Sequence, residues 1–254
     1  MDSLAADFDL RLSRYKSLNE ERLKRGLSVV SPNVRQMLDI FPLLLHFNTP
    51  NLPGCRCSNV PTGIDGFVMN KRQKQWLIDR GIDPSLRPQA PHSIFALYAM
   101  GSTSSIGQGV SSDLDIWVCI SRNIPKDEVE ILTEKCHFIS TFFKTLGADI
   151  YLFVTAEDRF TSGQHGTLDT EDCGSAQSLF LLDEFYRTSF KICGRSIIWY
   201  LVSPQEEDQD YYGTVKALYE SGRVDNQLWF DFGSVVKSSA AEYFGSGLCC
   251  FIRE

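Results

Sequence analysis

Two carboxylates one residue apart stand at the head of an apolar run, Asp113-Leu114-Asp115-Ile116-Trp117-Val118. Side chains alternate faces along a strand, so Asp113 and Asp115 project from one side while Leu114, Ile116 and Val118 take the other. Acids held about 7 Å apart in this way repel each other unless a cation sits between them. A divalent ion answers that need. Magnesium fits best, because it accepts a few carboxylates together with phosphate oxygens. The plainer reading is a strand end that faces water.

Just upstream, Gly101-Ser102 opens a stretch of small residues. A turn there, between a buried strand and a segment able to start a helix, offers backbone N–H groups without side-chain bulk. That is the geometry of an anion site, although a flexible serine-rich turn is the simpler alternative. A third acid, Asp149, lies in "GADIYLFV". Asp149, Tyr151 and Phe153 share one face of that strand, and Ile150, Leu152 and Val154 share the other. If this strand lies beside the Asp113 strand, Asp149 meets the same metal and can take a proton from a hydroxyl nucleophile. A solvated edge residue is the alternative. Trp117 continues the face of the two acids, either as a wall that orients a ligand or as a bulky cover for the sheet's end.

Further along, Arg187, Lys191 and Arg195 fall at steps of four and read as one basic stripe of a helix, with Arg187 foremost for contact with phosphates. Asp183 precedes Arg187 by four, the spacing of an ordinary surface ion pair. Asp172 or Ser175 caps that helix or lines the site. His92, His137 and His165 have no partner spacing that suggests a metal or a nucleophile relay, and are expected to be structural.

The elements that must position these residues are legible in part. Residues 4 to 27 have the apolar spacing of an amphipathic helix, and Ser31-Pro32 is a cap followed by a first-turn proline. Ile94 to Met100 reads as a buried strand, and Asp113 to Ile120 as a second. Residues 125 to 146 carry Val129, Leu132, Cys136, Ile139, Phe143 and Leu146 at alternating steps of three and four, a helix ended by Gly147. A strand over 148 to 154, a helix over 176 to 193, a strand in "SIIWYLV" and a helical pattern around Val215 to Leu228 follow. The expected organisation is a helical region and loop over 1–90, a catalytic core over 91–203, and the start of a further helical region over 204–254.

With 254 residues and a formal charge of −7, the chain is long enough for a sizeable core and lacks the basic balance that nucleic-acid wrapping needs. No run approaches the roughly 20 apolar residues of a membrane span. The first residues lack the basic-then-apolar order of a secretory signal. The eight cysteines fall mostly in apolar segments without zinc spacing, which reads as reduced core thiols and a cytoplasmic protein.

The Gly-Ser turn, the Asp-x-Asp strand and one later acid resemble the nucleotidyltransferase superfamily of DNA polymerase beta. Three longer strings, "YAMGSTSSIGQGVSSDLDIWVC", "EDCGSAQSLFLLDEFYRTSFKICGRSIIW" and "AAEYFGSGL", look like the amino-terminal catalytic domain of class I adenylate cyclases, the enterobacterial type. The resemblance implies an α+β fold: a polymerase beta-like core, a small mixed sheet with flanking helices, plus helical additions at both ends. It also implies conversion of ATP to 3′,5′-cyclic AMP and pyrophosphate with two Mg2+ ions. By that resemblance Gly101 and Ser102 hold the triphosphate, Asp113 and Asp115 bind the metals, Asp149 is the third acid, and Trp117 stands beside the nucleotide. ATP is the expected partner, with no nucleic acid and no membrane insertion. Class I cyclases also carry a large carboxyl-terminal region that answers to the sugar phosphotransferase system. The expectation is a shortened form without it, since the sequence diverges after "EYFGSG". Two other functions stay open: transfer of AMP to an external acceptor, and a silent nucleotide-binding fragment.

Overall fold

The computed structural model describes residues 2–55, 60–88, 92–100, 113–160 and 175–235. The chain divides into two compact units. One comprises Glu21–Glu157 and Thr188–Arg195; the other comprises Met1–Glu20, Asp158–Arg187 and Ser196–Glu254.

The first unit is built on a four-stranded sheet. Its strands are β1 (Ile94–Met100), β2 (Leu114–Ile120), β3 (Ile150–Ala156) and β4 (Phe190–Gly194), in the order β3-β2-β1-β4. β1 runs antiparallel to both β2 and β4, whereas β2 and β3 are parallel. Parallel neighbours need a crossover, and here helix α4 (Lys126–Thr145) supplies it. Leu132, Cys136, Ile139 and Phe143 are its buried stripe, as their spacing predicts. Gly147 follows with φ +80°, the left-handed stop that a helix end favours.

Leu97, Ala99, Leu114, Ile116, Val118, Ile120 and Ile150 share one core with α4 and with helix α2 (Pro32–His46). α2 begins where Ser31-Pro32 predicts, with the Ser31 Oγ accepting from the Val34 N–H at 3.3 Å. Helix α3 (Lys71–Ile78), not expected from the sequence, is started by a capping box between Asn70 and Gln73. The preceding helix α1 (Asp2–Val29) reaches a little beyond the predicted 4 to 27.

The predicted helix over 176 to 193 is too long. Helix α5 (Ser175–Thr188) stops, and the chain continues as β4. Pairing with β1 overrides the helical spacing, and it is tight at one point. Gly194 has φ +93°, and a Cβ there would stand 2.3 Å from the Phe95 carbonyl oxygen.

In the other unit, Phe8, Ile198, Leu201, Val202, Tyr211, Val215 and Val224 form the core. The predicted "SIIWYLV" strand shrinks to β5 (Ser196–Ile197), parallel to β6 (Trp229–Phe230), because Ile198–Leu201 winds into a 3-10 turn. Helix α6 (Pro204–Glu220) carries a Ser203/Glu206 capping box. Buried Glu207 on α6 accepts from Trp199 Nε1 and Ser234 Oγ at 2.8 Å each. Those donors satisfy a carboxylate that would be costly to bury alone. Cys119, Cys136 and Cys193 are free thiols, and burial pushes Cys136 and Cys193 up to about 12.

Candidate active site

The parallel register of β2 and β3 decides which of the predicted residues are neighbours. Asp115 lies opposite Tyr151, and Trp117 opposite Phe153. One residue earlier the Leu114 N–H donates to the Asp149 carbonyl at 2.9 Å, carrying the same alignment back to Asp113 and Asp149. In-register residues of parallel strands share a face. The result is three rows: Asp113 beside Asp149, Asp115 beside Tyr151, and Trp117 beside Phe153. The opposite face carries Leu114, Ile116, Val118 and Ile150, all in the core.

Exposure changes along these rows. Asp113 and Asp149 are exposed and Asp115 is half-buried. Tyr151 and Phe153 keep 43% and 36% of their surface open, whereas Trp117 keeps 4%. Trp117 is thus a buried member of the face, lying opposite the equally buried Tyr98 of β1. The Asp149 carboxylate lies 3.9 Å from the Lys144 ammonium. Among the described residues no three His, Cys, Asp or Glu side chains converge as a metal-holding group. Magnesium does not require such a cage, because one or two carboxylates with phosphate oxygens and water suffice. Asp113 and Asp115, on one face at the start of β2, fit that donor set. Gly101 and Ser102 lie outside the described residues, as do Asp172 and His165.

The basic stripe does not exist, since α5 ends before Lys191. Only Arg187 stays helical, and its Nε donates to Asp183 at 2.6 Å. Lys191 sits on β4 opposite Tyr98, where burial lowers its pKa. Arg195 follows β4, pairs with Asp65 at 2.5 and 2.7 Å, and lies 3.9 Å above the Phe95 ring. Its work is to hold Asp65, which also meets His92 Nδ1 at 3.2 Å. His137 is exposed on α4.

Two buried groups escaped sequence reasoning. His46 Nδ1 accepts from the Ile64 N–H at 2.9 Å, and burial, then His92 and Arg87, push its pKa down to about 4. Lys135 donates to the Phe47 carbonyl at 2.8 Å, and burial brings its pKa down to about 8. A histidine at a helix end and a lysine inside an apolar stripe were the available signals.

A profile of the family described as the adenylate cyclase NT domain matches residues 8–200. The chain belongs to that family. It is 38% identical over 239 residues to the adenylate cyclases of Salmonella typhimurium (strain LT2) and Escherichia coli (strain K12), a match that covers 92% of this chain and 28% of each relative. The chain therefore spans a little over a quarter of the length of the curated relatives it matches. Among solved structures it is similar to a spectinomycin adenyltransferase from Enterococcus faecialis, described with ATP and spectinomycin. That likeness has 16% identity and a TM-score of 0.34, and covers 62% of this chain and 79% of that one. A mutant of the MntA-HpeT toxin-antitoxin is similar at 14% identity and a TM-score of 0.24, over 60% of this chain and 87% of that one. No helix among the described residues is long and apolar enough to cross a membrane.

Proposed function

We propose that this adenylate cyclase NT domain is the catalytic region of an adenylate cyclase, converting ATP to 3′,5′-cyclic AMP and pyrophosphate. The observation that carries the reading is the first row of the sheet face, where Asp113 and Asp149 start adjacent parallel strands with Asp115 next along β2. In the reaction the ribose 3′-oxygen attacks the α-phosphorus of the same ATP. The new O3′–Pα bond forms as the bond from Pα to the bridging oxygen of the β-phosphate breaks, and pyrophosphate leaves. The hydroxyl proton passes to Asp149.

Asp113 and Asp115 would hold magnesium, which when bound neutralises phosphate charge. The family resemblance gives Gly101 and Ser102 to the triphosphate and Trp117, with 4% of its surface open, to the wall behind the nucleotide. Catalysis on such a site is mostly positioning and electrostatics.

Incubation of the purified chain with ATP and magnesium, with products identified by mass, tests this directly. Cyclic AMP and pyrophosphate are expected. ATP that binds but stays whole would make the chain a silent binding module, and AMP on another molecule would make it a transferase.

A further inference from the structure

The geometry points to Tyr151 and Phe153 as the platform for the aromatic base of the nucleoside triphosphate, an inference that rests on the nucleotide site proposed above. Isolated exposed aromatics are common on protein surfaces and need no explanation. These two are different because the fold fixes their company. They occupy consecutive front-face positions of β3, with Tyr151 in register with Asp115 and Phe153 in register with Trp117. Ile150 is in the core behind them, with Leu152 and Val154 packed against it, so the strand has already met its burial requirement without them.

The face is graded along the strand direction. It begins with two exposed acids, passes through an acid beside a phenol, and ends with a buried indole beside an open phenyl ring. Successive rows lie about 7 Å apart. A nucleotide is graded in the same sense, from charged phosphates through a polar ribose to a flat aromatic base. Laid along the two strands with its phosphates toward Asp113 and Asp115, which would hold the metal, it brings the base over Tyr151 and Phe153. The rings contribute a stacking surface that every base can use. The platform therefore supplies affinity for the nucleoside half and leaves the phosphates to the acids and their metal.

The test is calorimetric titration of the full chain, in the presence of magnesium, with α,β-methylene ATP and separately with inorganic tripolyphosphate. Tyr151→Leu and Phe153→Leu keep an apolar strand surface while removing the rings, and a thermal melt of each establishes that it is folded. Each is expected to weaken the ATP analogue roughly ten-fold or more and to leave tripolyphosphate binding unchanged, whereas Tyr151→Phe stays near the parent. Asp115→Asn should weaken both ligands. Wild-type affinity for the analogue in both leucine variants overturns the platform but leaves the proposed site standing if Asp115→Asn still loses both ligands. Equal losses of analogue and tripolyphosphate in the leucine variants also overturn it, because the rings would then serve the phosphates or the fold. If the parent chain binds neither ligand and Asp115→Asn changes nothing, the nucleotide site fails and takes the platform with it.

Discussion

Acidification should destabilise this protein in part through one identifiable histidine. His46 is 6% exposed at the end of α2, its Nδ1 is occupied by the Ile64 N–H, and its ring lies edge-on to Phe47 and Phe67. Protonation at Nδ1 would break that hydrogen bond and place a charge in an apolar site. The folded pKa of about 4 lies below the ordinary 6.5, so as pH falls the unfolded chain takes the proton first. The penalty is absent above 6.5, grows between 6.5 and about 4, and levels off below. At a pH of about 4.5 the linkage amounts to about 2.5 kcal/mol. Carboxylates titrate in the same window, so the comparison must subtract them. His46→Asn does this, because an amide oxygen can keep the acceptor for Ile64 and carries no proton equilibrium. Urea denaturation followed by tryptophan fluorescence, at neutral pH and at about 4.5, should show the parent losing about 2.5 kcal/mol more than the variant. Equal losses in the two proteins would refute the assignment of a neutral buried imidazole.

Three further outcomes are expected. Asp113→Asn and Asp115→Asn should each lower cyclic AMP formation by at least about a hundredfold, read by product chromatography, while thermal melts stay close to the parent's; undiminished turnover would remove the metal assignment. Gly194→Ala should cost more than about 2 kcal/mol in urea denaturation, since the strand needs both the positive φ and the close approach to Phe95. Arg195→Met should cost about 2 kcal/mol, because Asp65 loses its guanidinium, yet leave the nucleotide affinity of the folded protein unchanged; a fall in affinity would return Arg195 to the phosphates.

Much of the site's scaffold was legible along the chain because it is local. The run from Ile94 to Met100 is continuous and apolar, and α4 keeps its three-and-four spacing throughout. The alternation in "GADIYLFV" told which residues share the face of Asp149. Whether that face adjoins Asp115 was not legible, because parallel pairing joins segments separated by a whole helix. The stretch through Arg187, Lys191 and Arg195 misled for a related reason. Its spacing suits a helix, but β1 offers an unfilled edge, and the backbone hydrogen bonds gained there decide the outcome. α3 was missed because only Trp76, Leu77 and Ile78 interrupt its polar sequence, and its capping box is what starts it.

The in-step pairing of β2 and β3 also makes the arrangement of acids an all-or-nothing property. A strand has two faces, so one residue gained or lost between Gly147 and Ile150 would not move Asp149 slightly. It would aim the carboxylate at the core and an isoleucine at the face the acids now occupy. Length changes at the far end, beyond Ala156, leave every row intact. Length is thus free on one side of the sheet and fixed to the residue on the other.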